Sequence, residues 1–499
     1  MASLPKNVPV IVGVGFHQER GEDPTGCSEP YQLMVQAARK AAADGGSDEI
    51  LRRIESVSVP RGMWQYRNPG RLVAEALGCP RAKSILSDLG VLQLTLLSEL
   101  CQSIAAGERS VGLVTGGEAQ FRALRAMITQ RRVSETEQPE GTPAPDVHLT
   151  SADPFCSDLE SRRGLNLPVE FFAVIEAALR HRQGLSVDAH RDRLAAMYSS
   201  FSKVAAANPH AWRREMVSPE EIRNPTAKNP MLAFPYTKRH CSQWNVNRGV
   251  AILVCSLGVA QEFGLDSSRW IFPVVAVESK HVVVLAQKRT LHSQPGTVLC
   301  GQRAFALAGI SPADLTAAEL YSCFPAAIQS FALDLGLAGV CPLTVTGSMA
   351  FAGGPYNHFS LEGVARMVEV LRAATGPRRI GLVSNLSGIF GKQGCVVLSN
   401  VAREGGYAYE DVTRAVAKVD QPLPLNEAYT GPATIVGYTV VFQRDHPSHA
   451  IAICDTPAGE RTVARSEDAS LLEAMMREEF CGHPVQITAG GSFHLQPAV

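Results

Sequence analysis

Two distant stretches of this chain repeat one short pattern, and that repeat constrains the fold more than any other feature. The helix-like segment Val91 to Ala106 leads through Gly107-Glu108 into the apolar run Val111-Gly112-Leu113-Val114-Thr115-Gly116. Far downstream, the helix-like Leu361 to Ala373 leads through Gly376-Pro377 into Ile380-Gly381-Leu382-Val383-Ser384-Asn385. Each unit is preceded by a glycine-containing turn, around Gly90 in one and Gly353-Gly354 in the other. A supersecondary unit that returns in this way predicts two halves of similar architecture.

Between residues 8 and 117 strand-like runs (Val8 to Val14, Ser56 to Val59, Lys83 to Leu86, Val111 to Thr115) alternate with helix-like segments. Tyr31 to Ala43 carries its apolar residues on one helical face, whereas Val91 to Ala106 is apolar over most of its surface and reads as a buried helix. This alternation predicts an α/β architecture. At 499 residues the chain exceeds one ordinary core, so two or three domains are expected.

A formal charge of −1 with no run of like charge offers no stripe for a nucleic-acid backbone. The early apolar run Val8 to Phe16 is broken by glycines, lacks a basic leader and is followed by acidic residues, so it predicts a first strand and not a signal peptide. No apolar stretch reaches the about 20 residues that cross a bilayer. Twelve cysteines with no CxxC pair and no Cys/His cluster at zinc spacing predict reduced core residues, among them Cys101, Cys255 and Cys454, in a cytoplasmic protein without a metal centre.

Residues 119–245 are richer in Arg, Pro and polar residues, with helices predicted at Val169 to Arg182, His190 to Ala207 and Pro219 to Arg223. A long insertion between α/β units is expected to cover a site instead of building the sheet, so this segment reads as a lid. After Val401, the polar Tyr407 to Thr430 reads as a linker. Five strand-like runs follow: Thr434 to Phe442, Ala450 to Cys454, Arg461 to Arg465, Val485 to Thr488 and Ser492 to Leu495, with the helix-like Asp468 to Phe480 between the third and fourth. That order, βββαββ, predicts an OB-type barrel. Its few basic residues and few aromatics placed for stacking make it a structural or docking module, not an oligonucleotide binder. The expected division is 1–118 with 246–272 as a first half, 119–245 as the lid, 273–405 as a second half, 406–430 as linker and 431–499 as the barrel.

The segment Ala318-Glu319-Leu320-Tyr321-Ser322-Cys323-Phe324 resembles the Asn-Glu-Ala-Phe box of thiolases, and more closely the Glu-Leu-His-Asp-Cys-Phe version of their sterol-carrier-protein branch. Ser84 to Gly90, the buried helix and Val111 to Glu118 are similar in order to the family's nucleophile loop, helix and following strand. Asn247-Arg248-Gly249-Val250 resembles its Asn-Asp-Gly-Ala box, with a basic residue in the acidic place. Asn208-Pro209-His210-Ala211-Trp212 and Phe234-Pro235-Tyr236-Thr237-Lys238 are similar to segments of type 1 thiolase-like proteins, actinobacterial chains often called acetyl-CoA acetyltransferases, many with an additional C-terminal domain. The resemblance covers about residues 5–402. It implies a thiolase fold: α/β, five layers αβαβα from two similar halves, with a helical lid and here an OB-like C-terminal barrel.

The same resemblance marks what is missing. Counting back from Gly107, the acyl-accepting cysteine falls on Gly90, and the Gly-His-Pro box appears as Gly353-Gly354-Pro355. The final Cys-x-Gly box falls near Ser384 to Gly388 without a cysteine, and Cys395 lies beyond it in a strand-like run. Thiolase chemistry needs a thiolate, a base to make it and an acid/base beside the thioester carbonyl. The resemblance therefore implies an acyltransferase-type protein that binds CoA or an acyl-CoA, without a cofactor and without ordinary thiolase activity. Asn247, Arg248, Gly353 and Gly354 would lie in the CoA region.

Three side chains are the catalytic candidates. Tyr321 takes the place of the family's oxyanion-hole Asn or His and keeps one hydroxyl donor. Cys323 is a surrogate nucleophile, and His358 follows the glycine pair closely enough to swing into the vacated histidine space. Thiolase-like aldolases of steroid side-chain breakdown use tyrosines near the same two boxes together with an OB-fold partner. Cleavage of a β-hydroxyacyl-CoA by Tyr321 and Tyr356 is thus an alternative, and a non-enzymatic scaffold is a third. A monomer or a homodimer is expected, with no nucleic-acid or membrane partner.

Overall fold

The first strand shows how composition sets the packing. Gly13 and Gly15 lie in the strand Pro9–Gln18, and a Cβ at either would stand 1.9 Å from the Ala41 carbonyl oxygen or 2.1 Å from that of Ala37. The helix Pro30–Gly45 therefore rests directly on the sheet, through the fully buried Ala37, Ala38, Ala41 and Ala42. The structure, a computed structural model, describes residues 4–495.

The first sheet has six strands in the order Pro9–Gln18, Asn247–Ser256, Val111–Ala119, Ser56–Pro60, Lys83–Ser87, Val147–Leu149. Asn247–Ser256 runs antiparallel to both its neighbours and is buried along its whole length. Burial on both faces explains its nearly unbroken apolar run. The second sheet has five strands in the order Ala317–Glu319, Ile380–Ser387, Lys392–Ser399, Phe272–Ser279, Ala408–Asp411.

The two repeated helices, Thr95–Ala105 and Phe359–Ala373, form the layer between the sheets. Leu96, Leu100 and Ile104 share one core with Leu361, Val364 and Val368, and with Val250 and Ile252 of one sheet and Val383 and Val396 of the other. Pro30–Gly45 covers the outside of the first sheet, and Pro295–Ala308 lies against Phe272–Ser279 and Lys392–Ser399 of the second. The result is the five-layer thiolase-like α/β arrangement.

The C-terminal strands are ordered Arg461–Ser466, His446–Asp455, Gly431–Gln443, Pro484–Ile487, Phe493–Leu495. A parallel bridge from Arg465 to Ser492 joins the two ends and closes the barrel, and the helix Ala469–Met475 sits between the third and fourth strands. This is the OB-type topology.

Two expectations change. The stretch read as a linker contributes Ala408–Asp411, paired in parallel with Phe272–Ser279, and the helix Thr413–Val419. The Tyr409 hydroxyl donates to Glu278 at 2.8 Å. An edge strand half open to solvent carries no long apolar run, so its sequence resembles a loop. The segment read as a lid also does more than cover. Its three predicted helices stand at Pro168–Arg182, Val187–Ala207 and Pro219–Arg223, but Val147–Leu149 completes the first sheet and Met231–Ala233 bridges to Val441 of the barrel. The buried Arg180 ties the same segment to the barrel, its guanidinium donating to both Glu479 oxygens at 2.9 and 3.0 Å and to the Tyr438 hydroxyl at 2.7 Å. Among the described residues, no helix is long and apolar enough to cross a membrane.

Candidate functional site

Loops that leave the strands of both sheets meet the helix Pro168–Arg182 around a cavity of about 430 Å³. Leu89 and Gly90 come from the turn before the first central helix, and Tyr356 and Asn357 from the turn before the second. Tyr321, Cys323 and Phe324 follow the strand Ala317–Glu319, and Pro325 at the next helix's first position ends that loop. Gly388, Ile389 and Lys392 come from the hairpin between the last two central strands, and Ser151 to Phe155 from the segment after Val147–Leu149. Phe172, Val283 and Leu386 make much of the remaining wall apolar.

Tyr321 is fixed at its backbone, whose N–H donates to Ser384 Oγ at 2.8 Å. Gln93 Nε2 donates to the phenol oxygen at 3.4 Å, and Gln93 Oε1 in turn accepts from the Ser360 N–H at 2.7 Å. The phenol's own O–H has no acceptor among the described residues. Burial pushes this phenol well above its ordinary value, so it enters the cavity as a proton-bearing donor. Tyr356 stands exposed at the mouth, its phenol raised by partial burial and then by the Glu118 carboxylate. Glu118 itself is pushed up to about 7 by burial.

Cys323 lines the cavity, but burial pushes its thiol far up and no cationic neighbour opposes that. Nucleophilic attack needs the thiolate, which these surroundings do not supply. Cys395 is buried in its strand with its thiol pushed up to about 12, a core residue.

Several expected site residues lie elsewhere. His358 does not swing into the cavity: it is buried under Gly116, where an added Cβ would meet its own at 2.5 Å, with Nε2 3.5 Å from Glu362. Burial pushes its imidazole down in spite of that carboxylate. Arg248 is absent from the cavity wall as well. Its Nε lies 2.9 Å from Glu362 while Nη1 and Nη2 donate to the carbonyls of Ala352 and His210 at 2.5 and 2.7 Å. Asn247 accepts the Arg122 N–H at 2.7 Å. These residues sit on a strand buried on both faces, and the bonds they make are to the protein itself, with Asn247 Nδ2 left without a partner among the described residues. Gly353 and Gly354 are also absent from the cavity wall.

Neither Gly90 nor Gly354 has free room for a side chain. A Cβ at Gly90 would stand 3.0 Å from Ser151 Cβ, at φ +97° where side chains are strained, and one at Gly354 would stand 3.0 Å from Ser242 Cβ and 3.1 Å from Met349 Cβ. Gly90→Cys combined with Gly354→His is therefore expected to show no acetoacetyl-CoA thiolysis above background. Turnover by that double variant would mean that the two positions still form a working thiolase site.

Sequence reading missed Gln93, Ser151, Asp153 and Lys392. The last had a signal, a lone cation among glycines and apolar residues in Gly391 to Leu398. The other three carried none, since the groups that bring them to the cavity, Tyr321 and Ser360 for Gln93 and Lys392 for Ser151 and Asp153, are distant in sequence. Among the described residues, no group of three His, Cys, Asp or Glu side chains is placed to hold a metal ion.

Residues 411–492 match the model of the thiolase-like protein type 1 additional C-terminal domain. The structure of a monomeric SCP2-thiolase-like protein type 1 from Mycobacterium smegmatis superposes with a TM-score of 0.81 at 27% identity, over 99% of this chain and 100% of that one. An Ltp2–ChsH2(DUF35) aldolase gives a TM-score of 0.60 at 18% identity, over 80% of this chain and 99% of that one. Human mitochondrial 3-ketoacyl-CoA thiolase in complex with CoA gives 0.54 at 15%, with the same coverage of 80% and 99%. In sequence, an acetyl-CoA acetyltransferase of Methanothermobacter thermautotrophicus is 22% identical over 271 residues, 50% of this chain and 66% of that enzyme, just under two thirds of its length. The class defined by layers and site is the thiolase fold. Within it, the barrel and the match along the whole chain make this protein similar to the type 1 thiolase-like proteins that carry an additional C-terminal domain.

Proposed function

We propose that the cavity binds CoA or an acyl-CoA, and that the protein does not perform thiolysis or Claisen condensation through a covalent acyl-enzyme. The observation that carries this reading is convergence: the nucleophile-loop glycine, the Tyr321 box and the last glycine box all open onto one cavity. A thioester oxygen placed there would accept the free O–H of Tyr321, as in an oxyanion hole. Burial favours the protonated thiol of Cys323, and among the described residues no histidine lines the cavity, so the acyl group has no activated acceptor.

Calorimetric titration with CoA and acetyl-CoA, then a thiolysis assay on the same sample, tests this. Binding without turnover is expected, and Tyr321→Phe should weaken acetyl-CoA binding about 3- to 10-fold, the worth of one hydrogen bond, while sparing CoA itself. A robust thiolysis rate that disappears in Cys323→Ala would overturn the reading.

A second reading, aldolase-type cleavage of a β-hydroxyacyl-CoA, is favoured by one observation: Tyr321 and Tyr356 line the same cavity. Both phenols are pushed up, so they suit proton donation to the developing enolate as the C–C bond breaks, while the β-hydroxyl proton leaves to water at the cavity mouth. In this scheme Tyr321→Phe abolishes cleavage, and an unchanged rate would exclude it. Failure of every CoA species to bind would leave the scaffold reading. We also read the protein as a monomer, because Val147–Leu149 covers the Lys83–Ser87 edge of the first sheet.

A further inference from the structure

The wall of this largely apolar cavity contains a buried cation, Lys392, 7% exposed. Its Nζ donates to the Gly90 carbonyl at 3.0 Å and to Ser151 Oγ at 2.7 Å, and pairs with Asp153 Oδ2 at 2.7 Å. An ammonium has three donors, and all three are engaged. The first partner belongs to the backbone turn at the vacated nucleophile position, and the second packs against that turn, its Oγ 3.1 Å from where a Gly90 Cβ would stand. The third is different. Asp153 lies on the irregular segment between Val147–Leu149 and Asp158–Arg162, and its side chain is 46% exposed. Its carboxylate has water to turn to.

We propose that the cavity takes a free carboxylic acid with an apolar chain or ring system, whose carboxylate replaces that of Asp153 on Lys392. One carboxylate exchanges for another at the same ammonium, so the charge stays paired. The incoming group also brings apolar surface to be buried against Phe155, Phe172, Val283 and Phe324. A neutral head group, alcohol or thioester, cannot replace the charge. A phosphate would need more donors than the wall offers, where Lys392 is the cationic side chain. Lys392 held in this pair acts as a cation for the ligand, not as a base for the Ser151 hydroxyl. The proposal goes beyond the CoA-thioester reading and rests only on that reading's choice of cavity.

Octanoate, octanol and octanoyl-CoA, titrated into the full chain, separate the cases. Octanoate should bind more tightly than octanol, Lys392→Met should weaken octanoate at least tenfold while leaving octanol unchanged, and Asp153→Asn should strengthen octanoate several-fold by removing the competitor. Asp153 is half exposed, so its variant reads out even where Lys392→Met fails to fold. Equal affinity for octanol and octanoate, or an Asp153→Asn variant with unaltered octanoate affinity, would overturn the proposal without touching the CoA reading. Octanoyl-CoA showing the same dependence on both residues would assign Lys392 to the thioester oxygen instead, and would also overturn it. Loss of octanoyl-CoA binding with the octanoate preference intact would sink the CoA reading alone.

Discussion

Replacing Arg248 with methionine is expected to destabilise the fold by about 3–5 kcal/mol, the usual cost of leaving one partner of a buried ion pair alone. Arg248 is 2% exposed and Glu362 1%, and Arg248 Nε stands 2.9 Å from Glu362 Oε1 as a charge contact without an aligned hydrogen bond. Without the guanidinium, the carboxylate's remaining charge partner among the described residues is His358, 3.5 Å away, and burial holds that imidazole toward its neutral form. The variant also loses the two donors that fix the carbonyls of Ala352 and His210, beside the Gly353 turn. Urea unfolding of the single variant and of Arg248→Met/Glu362→Leu measures the effect. The double variant should recover most of the loss, because it removes both charges together. A single variant within about 1 kcal/mol of wild type would show that the pair contributes little.

Acidification from pH 6.5 toward 4 should lower the unfolding free energy by about 3 kcal/mol through His240 alone, at about 1.4 kcal/mol per pKa unit. His240 is 2% exposed, and burial depresses its imidazole to about 4, with Arg191 pushing the same way and Glu176 opposing. Its Nδ1 accepts the Thr237 N–H at 3.2 Å, so a proton arriving there would meet a donor already in place. The unfolded chain takes up that proton first. The contribution is therefore complete above about pH 6.5, is lost as the pH falls toward 4, and is flat below that. His449, depressed to about 4 by burial and then by Arg465, adds in the same direction. His240→Asn keeps an acceptor for Thr237 and removes the titration, so its stability should change less between pH 7 and 4. Identical pH profiles for the two proteins would rule His240 out as the source.

The repeated helix and strand, Val91 to Thr115 and Leu361 to Asn385, were legible because each is buried on several sides and so carries an apolar run that local pattern reveals. The five tail strands were legible for a related reason: turn residues separate short apolar runs, and closure of the barrel follows from their order. Ala408–Asp411 and Val147–Leu149 were not, since a short edge strand makes its hydrogen bonds with backbone and needs little apolar surface. The resemblance also promoted His358 and Arg248 to the site, through their places beside or within its boxes. A histidine or arginine in or beside a family box looks functional, and only their neighbours show that Arg248 is held by buried carbonyls and that His358 is packed under Gly116.

By itself, then, the sequence determined the α/β halves and the barrel, because these depend on local periodicity and on the order of short apolar runs. Only the tertiary structure decided which polar groups meet in the cavity. Lys392 reaches Gly90 and Ser151 across 302 and 241 residues of chain, and no local pattern encodes an encounter between groups that far apart. The charge state of Tyr321 and Cys323 was likewise undecided by composition, because it depends on how much water the folded protein leaves around each side chain.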